Sequence, residues 1–486
     1  MKKLRQILDS ITMYRVILYG LSCLATVAFI LSALNILTYS SFGVLVMTLA
    51  LLSIVCFFTN VLLSKLYKVT PNFESTIITT FILFFVLAAP TKASDWVGIG
   101  FAALVAVASK YVVTWHSAHI FNPAAFGVLA VTILGIGNGA WWIADKSMFI
   151  PMILVGYLVL LKIRRFELFF AFLIPAVVLI VAKTIADSNI TESIITALTL
   201  YPVLFLGSIM LTEPSTMPIT RTKRIVFGAL VGLIFASNIE FGFIAASPQL
   251  ALIVGNLFAF AVTMRASARM VLVDKTQLTP TTYSFSFKPN RQLKHAAGQY
   301  IELTLPGVKN DARGNRRTFT IASPPSDDRI KIGVKFYDQG SQFKNKLMAL
   351  KPGDEIMGNH IAGDFTLPKQ KSQPVVFVAG GIGITPFISM IKDMIATKSK
   401  QAATLYYFAN DKSEVAYKDV LKAARNAGIK IHLRVGNGLR LTEDEIKNNS
   451  NAQFYLSGPP GLVNGYKAQL QKLKIKNIHT DLFTGY

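Results

Sequence analysis

Hydrophobic residues follow two different patterns along the chain, and the change comes near residue 265. From about Val16 to about Thr263 the sequence consists of apolar runs of about 17–23 residues, the length that crosses a hydrocarbon core of about 30 Å. From about Met270 onward the apolar stretches are short and are separated by turn residues, which is typical of β-strands and α/β units. The pattern predicts a polytopic α-helical membrane domain, residues 1–265, followed by a water-soluble module.

Ten apolar runs have the composition of membrane spans, and Lys and Arg fall unequally on their two sides. The runs begin near Val16, Ser41, Phe73, Trp96, Asn122, Met148, Phe166, Ser193, Ile225 and Pro248. If the N-terminus is cytoplasmic, the outer loops hold Lys92, Lys146 and Lys183, and the inner loops hold Lys2, Lys3, Arg5, Arg15, Lys65, Lys68, Lys110, Lys162, Arg164, Arg165, Arg221, Lys223, Arg224, Arg265 and Arg269. This bias predicts a plasma-membrane protein with both termini in the cytoplasm. The first run is long enough to span, so we expect it to stay as a helix rather than to be cleaved as a signal.

The composition narrows the function classes. Of the 486 residues 52% are hydrophobic and 15% charged, and the net charge of +23 is explained by the inner loops and anionic lipid rather than by nucleic acid, since no nucleic-acid module accompanies it. The two cysteines, Cys23 and Cys56, lie inside apolar runs. A disulfide framework or an iron–sulfur cluster is therefore not expected, and no metal site is predicted.

The membrane domain shows an internal similarity. Residues 84–109 align with residues 205–237, and "FNPAAFGVLAV" (121–131) aligns with "ASPQLALIVGN" (246–256). With five spans in each copy, the second copy would be inverted, and proline-interrupted inverted repeats build mid-membrane sites from broken helices. The alternative is that Pro123, Pro214 and Pro248 stand at ordinary helix starts, where proline is favoured.

Two stretches of this domain resemble a known membrane-subunit family. "HIFNPAAFG" (119–127) and "MLTEPSTMPITRTKRIVFGALVG" (210–232) are similar to signature stretches of the membrane subunits of the sodium-translocating NADH:quinone reductase and of Rnf complexes. The resemblance implies a flavin in the membrane domain, with Asn122 and Glu213 as candidate cofactor-binding residues. Two features depart from the family: Glu213 replaces the usual Asp, and the Ser-Gly-Ala-Thr motif that carries covalent FMN is absent. Any FMN or riboflavin here is thus expected to be non-covalent. A carboxylate such as Glu213 at membrane depth is more often functional than structural.

In the soluble module, "RRTFTIAS" (316–323) has the residues of a flavin-binding strand. The Arg317 guanidinium can pair with a pyrophosphate, the Phe319 ring can pack along the flavin, and the Thr320 hydroxyl can reach the reactive part of the ring. "IGVKF" (332–336), with Val334 and Lys335, and "GSQFKNKL" (340–347) follow, and Gly340, Ser341 and Gln342 can offer donors to phosphate at a helix N-terminus.

About 60 residues beyond Arg317 a second ligand-binding pattern begins. "PVVFVAGGIGITPF" (374–387) predicts a buried strand, a glycine-rich turn and a helix, with Gly380, Gly381 and Gly383 allowing close approach of phosphate and Thr385 and Pro386 opening the helix. Three more strands, "ATLYYFAND" (403–411), "KIHLRVG" (430–436) and "AQFYLSGPPGLV" (452–463), predict a nucleotide-binding sheet, and Ser457, Gly458 and Pro459 fall at the end of its last strand.

Taken in order, residues 268–486 resemble the ferredoxin–NADP reductase superfamily. The resemblance implies an FAD-binding β-barrel domain, residues 266–370, and an NAD(P)H-binding α/β domain, residues 371–486. It assigns FAD to Arg317, Thr318, Phe319 and Thr320, and the dinucleotide to the glycine-rich turn. It places Ser457, Phe483 and Tyr486, together with Thr320, at the site of hydride transfer. Phe319 stands where Tyr is often found, and Ser457 replaces the usual Cys.

The sequence therefore predicts a membrane flavoenzyme that passes electrons from cytoplasmic NAD(P)H through FAD to a quinone, a second flavin or an acceptor outside. Asp411 and the adjacent Lys412 argue in opposite directions about a 2′-phosphate, and NADH is slightly favoured as the donor. A haem-containing ferric reductase or NADPH oxidase is the main alternative, but it needs paired axial histidines and only His116 and His119 fall in the membrane domain. A reductase merely anchored to lipid is a third interpretation. Asp481 is interpreted as a surface carboxylate.

Overall fold

The chain divides into two compact units, Met1–Arg265 and Ala266–Tyr486. The computed structural model describes residues 8, 11–37, 39–67, 71–115, 118–186, 189–237, 240–241, 244–263, 268–305, 316–337, 340–368, 372–436 and 440–482.

The first unit is helical. Its helices are α1 (Met13–Ala33), α2 (Phe42–Leu66), α3 (Phe73–Val86), α4 (Ala93–Val112), α5 (Pro123–Ile133), α6 (Phe149–Ile163), α7 (Phe166–Thr184), α8 (Ile190–Thr199), α9 (Val203–Phe205, continued by a π-helical turn, Leu206–Met210), α10 (Arg221–Ala236) and α11 (Pro248–Thr263). Two short hairpins, β1 (Thr114–Trp115) with β2 (Ala118–His119) and β3 (Glu240–Phe241) with β4 (Ile244–Ala245), precede α5 and α11.

The number of full-length spans is smaller than the ten predicted. Among the described residues five helical segments are long and apolar enough to cross a membrane: Met13–Ala33, Phe42–Leu66, Ala93–Val112, Lys146–Ile163 and Phe166–Thr184. The helices Ile190–Thr199 and Val203–Met210 form a bent pair with an angle of 57° between them, and this pair makes a sixth span if it is counted as one. The other predicted spans also contain helices, but they are short: α3 has 14 residues and α5 has 11, which at about 1.5 Å per residue gives roughly 21 Å and 17 Å.

Proline and asparagine explain where these short helices begin. Pro123 lies in the first turn of α5, and the Asn122 side chain accepts a hydrogen bond from the Ala125 amide as the N-cap. Glycines allow neighbouring helices to approach closely: a Cβ on Gly127 of α5 would lie 2.5 Å from the Ala102 carbonyl oxygen of α4. Two of the residues that the sequence analysis assigned to the inner loops make contacts within the helical unit instead. Arg224 is buried against Glu167, and Lys110 donates a hydrogen bond to Ser75.

The second unit begins with an antiparallel barrel. Its strands are β5 (Ala268–Thr279), β6 (Thr282–Pro289), β7 (Tyr300–Thr304), β8 (Arg316–Thr320), β9 (Ile330–Lys335) and β10 (Glu355–Ala362), in the order β8-β7-β10-β5-β6-β9. A bridge between Ile321 and Ile332 joins the two edge strands, so the sheet closes on itself. Its core contains Phe285, Phe287 and Ile301, and helix α12 (Gln342–Ala349) contributes Phe343 and Leu347 to it.

A parallel five-stranded sheet follows. The strands β11 (Val375–Gly380), β12 (Ala403–Ala409), β13 (Lys430–Val435), β14 (Gln453–Gly458) and β15 (Ile478–Leu482) lie in the order β13-β12-β11-β14-β15. The connecting helices are α13 (Thr385–Ala396), α14 (Lys418–Asn426), α15 (Glu443–Lys447) and α16 (Pro460–Lys472). Phe387 of α13 and Leu421 of α14 belong to one core cluster, and Val463 and Leu470 of α16 belong to another. The strand order reverses between β11 and β14, where such sheets bind ligands.

Candidate active site

The predicted flavin strand is packed against the start of α12. Arg317 is 9% exposed, and its guanidinium lies 5.3 Å from the centroid of the Phe343 ring. The Phe319 ring stacks on the same Phe343 ring, with 5.9 Å between centroids. Phe343 is the second residue of α12, so strand β8 and the N-terminus of α12 are brought together. The fold thus places the predicted pyrophosphate partner beside a helix N-terminus, the arrangement that favours an anion.

The other residues predicted for FAD have separate environments. Thr320 is buried and Thr318 is exposed, so the two hydroxyls are not equivalent. The Ser341 hydroxyl caps α12 by accepting a hydrogen bond from the Lys344 amide at 3.3 Å, between the half-buried Gly340 and the exposed Gln342. On β9 the Val334 side chain is part of the barrel core, whereas Lys335 is half-buried.

The glycine-rich turn lies at the point where the strand order of the parallel sheet reverses. A Cβ added to Gly383 would come within 2.5 Å of both the Gly458 Cα and the Ser457 carbonyl oxygen. Only glycine permits this approach, and it brings the carboxyl ends of β11 and β14 into contact. Gly381 has a φ of +53°, a left-handed conformation that glycine adopts at little cost.

The helix that follows this turn has an uncapped start. No side chain caps α13, Pro386 lies in its first turn, and the Thr385 hydroxyl donates to the Ile382 carbonyl at 3.1 Å. The Thr385 backbone amide also donates to the Ile382 carbonyl oxygen, and Pro386 has no N–H. The glycine backbone that precedes α13, rather than the first amides of the helix, is therefore the surface that an anionic group can approach. Gly380, whose Cβ position is 3.2 Å from the Pro459 ring, closes the other side of the turn.

Two polar side chains meet in register at the ends of β14 and β15. Ser457 pairs with Asp481, two residues beyond Tyr455 and His479, whose rings stack at 4.4 Å. Among the described residues, the Ser457 hydroxyl is one of the buried polar groups without a hydrogen-bond partner. Burial raises the pKa of Asp481 to about 6. Asp481 was interpreted from the sequence as a surface carboxylate, but it is partly buried and adjacent to a predicted hydride-transfer residue.

The residues present fit the two cofactors. The cradle at Gly383 and the partnerless Ser457 hydroxyl suit a dinucleotide, and Arg317 with the N-terminus of α12 suits the pyrophosphate of FAD. Phe483 and Tyr486, predicted beside the flavin ring, lie outside the described residues, as does His116.

A separate polar cluster lies inside the helical unit. The Asn122 side-chain amide donates to a Glu213 carboxylate oxygen at 2.8 Å, and the Asn122 backbone amide donates to the side-chain oxygen of Asn256 at 2.8 Å. The Asn256 side chain, which is fully buried, donates in turn to the Thr216 carbonyl oxygen at 3.3 Å. The structure therefore joins the two predicted residues of this unit, which are 91 positions apart. Sequence reasoning missed Asn256, although a lone amide within an apolar run was a usable signal.

A cavity borders this cluster. Its volume is about 30 Å³, and Ser75, Asn122, Glu213 and Pro214 line it together with apolar side chains of α1 and α3. Lys110 lies nearby and donates to the Ser75 carbonyl oxygen at 2.9 Å and to its hydroxyl at 3.0 Å. In the described part of the chain no group of three or more His, Cys, Asp or Glu is arranged to hold a metal ion.

Comparison with known proteins finds relatives of the second unit. The ferric reductase NAD-binding domain family matches residues 372–453. A flavohemoprotein of Bacillus cereus is 26% identical over 242 residues, covering 44% of this chain and 60% of that protein. The reductase component DmpP of phenol 2-monooxygenase from a Pseudomonas species is 29% identical over 148 residues, covering 30% of this chain and 40% of that protein. Among solved structures, the FAD/NAD-binding domain of nitric oxide dioxygenase from Vibrio cholerae is 21% identical, covers 44% of this chain and 98% of that one, and has a TM-score of 0.39.

These matches concern a part of the chain and a part of its relatives. The chain spans about half the length of the curated relatives it matches. The matches support the sequence-based expectation that the chain is an oxidoreductase.

Proposed function

We propose that this protein is a membrane flavoprotein oxidoreductase that passes electrons from NAD(P)H through FAD into its helical unit. The observation that carries the proposal is the glycine crevice between β11 and β14, followed directly by the uncapped α13 and accompanied by a barrel strand bearing Arg317. FAD, when bound, accepts a hydride from a nicotinamide and can return electrons one at a time. We propose FAD-binding residues 266–370, NAD(P)H-binding residues 371–486 and NADH as the preferred donor.

The residues of the module would act by binding and orientation. Arg317 and the first amides of α12 would hold the pyrophosphate of FAD, and the backbone of the glycine-rich turn before α13 would hold that of the nicotinamide dinucleotide. Ser457 would offer its hydroxyl to the nicotinamide, and Thr320 would do so to the flavin. The close approach of Gly383 to Gly458 excludes side chains from the crevice, so that the dinucleotide can lie against the backbone.

For the helical unit we propose an electron carrier at the Asn122–Glu213–Asn256 cluster, in the form of a non-covalent FMN or riboflavin. The cavity beside the cluster brings a carboxylate, an amide and hydroxyls together within apolar walls. Electrons would continue to a quinone or to an acceptor on the far side of the bilayer. The plasma-membrane location and the cytoplasmic termini are part of this proposal.

The helix packing supports an inverted repeat and the proposed likeness to the membrane subunits of the sodium-translocating NADH:quinone reductase and Rnf complexes. In the first half α2 packs on α3 and on α4, and α4 packs on α5. In the second half the corresponding helices form the same pairs: α7 packs on α8 and on α10, and α10 packs on α11. Helix α1 packs on α6, and α5 packs on α11, which are the equivalent positions of the two halves. We propose that ten helical segments, several of them half-length, form this five-plus-five arrangement.

The visible spectrum of the detergent-purified protein tests the proposal. We expect flavin bands that bleach when NADH or NADPH is added without oxygen. The match of residues 372–453 to the ferric reductase NAD-binding domain favours one alternative, a haem-containing transmembrane reductase. A Soret band would support that alternative, and a colourless protein that binds no flavin would contradict both.

A further inference from the structure

Glu414 connects two lobes of the second unit at the edge of the proposed dinucleotide site. It lies in a 3₁₀ turn, Lys412–Glu414, directly after β12. Its carboxylate accepts a hydrogen bond from the Lys335 ammonium of β9 at 2.8 Å. It also accepts from the Thr281 hydroxyl, at the turn between β5 and β6, at 2.8 Å and 3.1 Å to its two oxygens. One carboxylate of the α/β lobe thus holds two donors of the barrel.

The direction of Lys335 connects this ion pair to the glycine turn. Two residues earlier on β9, a Cβ on Gly333 would lie 2.8 Å from the Thr385 methyl group and 3.4 Å from the end of the Ile382 side chain. Alternate residues of a strand point to the same side, so Lys335 leaves β9 on the side that faces the turn and the N-terminus of α13. Lys335 is therefore a barrel cation on the side of β9 that faces the glycine turn.

In this structure the Lys335 ammonium is already paired with the Glu414 carboxylate. The two side chains are 23% and 20% exposed, so the pair is only partly screened by solvent. The pKa of Glu414 is lowered by the Lys335 and Thr281 hydrogen bonds despite its burial, so Glu414 is a carboxylate at neutral pH. A lysine has three donors but one charge, and a carboxylate and a pyrophosphate compete for that charge.

We propose that Glu414 competes with the pyrophosphate of the nicotinamide dinucleotide for the Lys335 ammonium and thereby limits dinucleotide affinity. This inference rests on the proposed NAD(P)H-dependent function and adds a residue to it. Weaker binding of this kind speeds release of the oxidised dinucleotide, because the carboxylate takes back the ammonium as the pyrophosphate leaves. Thr281 acts as a positioning residue, since its hydroxyl holds the Glu414 carboxylate in place when Lys335 turns to the ligand.

The test uses the full-length protein in detergent, reconstituted with FAD. The dissociation constants of NAD⁺ and NADP⁺ are measured from changes in the flavin spectrum, and KM and kcat are measured with NADH, NADPH and ferricyanide. We expect Glu414→Gln to tighten dinucleotide binding and to lower KM by about two- to fivefold, the range of a partly exposed ion pair. The value of kcat should fall only if release of the oxidised dinucleotide limits turnover, because tighter binding slows that release. The matched control is Glu443→Gln, whose pair with Lys447 is 66% and 60% exposed and which should change nothing.

A double-mutant cycle separates competition from a merely structural brace. In the Lys335→Gln background the gain from Glu414→Gln should vanish, because no ammonium remains to compete for. The inference is overturned if Glu414→Gln leaves affinity unchanged or weakens it while lowering the melting temperature, or if the gain persists without Lys335. A wild-type protein that binds no dinucleotide would overturn the proposed function as well, so the two failures are distinguishable.

Discussion

Asn122 and Glu213 are hydrogen-bonded at 2.8 Å although one begins α5 and the other follows the π-helical turn after α9. The bond joins two breaks in the helical unit, and both residues line the same cavity. The Glu213 carboxylate accepts hydrogen bonds from the Asn122 amide and, at 3.4 Å, from the Thr216 hydroxyl, so its loss leaves the buried Asn122 amide without this partner. This geometry makes Glu213 the residue through which the helical unit can be tested separately from the reductase module.

Glu213→Gln should leave NAD(P)H oxidation by ferricyanide close to wild type, because that reaction needs only the second unit. Reduction of a quinone or of an acceptor outside should fall by about tenfold or more, as expected when a charge-assisted hydrogen bond is lost at a binding site. Both rates are measured in proteoliposomes. Glu192→Gln, an exposed residue in the first turn of α8, serves as the control. Equal loss of both activities would show that Glu213 acts through the stability of the fold.

Gly383→Ala should abolish dinucleotide binding while FAD is retained. Its new Cβ would press on the backbone of Ser457 and Gly458, which cannot rotate away, and we expect a destabilisation of about 1–3 kcal/mol together with a displaced turn. Flavin content, NADH titration and thermal unfolding measure the effect. Gly461→Ala is the matched control, because a Cβ there meets no atom within 4 Å. Normal NADH affinity in Gly383→Ala would remove the crevice from the site.

Arg317→Ala should release FAD and leave the protein in the membrane fraction, because the guanidinium lies in the second unit. Arg317→Lys should retain part of the flavin, since it keeps the charge but loses the two-pronged geometry. Flavin content per protein after gel filtration gives the result. Arg425→Ala changes an exposed arginine of α14 and should have no effect. Full FAD retention in Arg317→Ala would exclude this residue from the FAD site.

Because of Asp481, the free energy of unfolding should fall as the pH rises through about 6. Its folded-state pKa is raised by burial, so the protonated fold is favoured below the unfolded pKa of about 4, and this contribution is lost once the carboxyl ionises. Asp481→Asn should therefore remove this pH dependence and stabilise the protein at pH 7.5 by about 1–2 kcal/mol. Melting curves between pH 4.5 and 7.5 compare the two proteins. An unchanged pH dependence would place the titration elsewhere.

Any flavin in the helical unit should be non-covalent, because the Ser-Gly-Ala-Thr attachment motif is absent from the sequence. After denaturing electrophoresis the protein band should show no flavin fluorescence under ultraviolet light, whereas flavin should appear in the supernatant of denatured protein. A fluorescent band would demonstrate an attachment through another residue.

The sequence by itself determined the features that depend on neighbouring residues. The apolar runs before residue 265 and the short strands after it predicted a helical unit followed by strands and α/β units, and the glycines around Gly383 predicted a strand, turn and helix in the order observed. These predictions succeed because hydrophobic periodicity and backbone freedom act over a few residues. The count of ten full spans was not matched, because composition does not show where a helix such as α5 stops after 11 residues.

Only the tertiary structure decided which distant residues meet. Nothing in the local sequence pairs Asn122 with Glu213, brings Gly383 against Gly458, or places Glu414 between Thr281 and Lys335. Asp481 was misjudged for the same reason, because its burial depends on strand β15 lying beside β14. Helix packing and strand order fix these contacts over separations of many tens of residues, and a linear pattern carries no record of them.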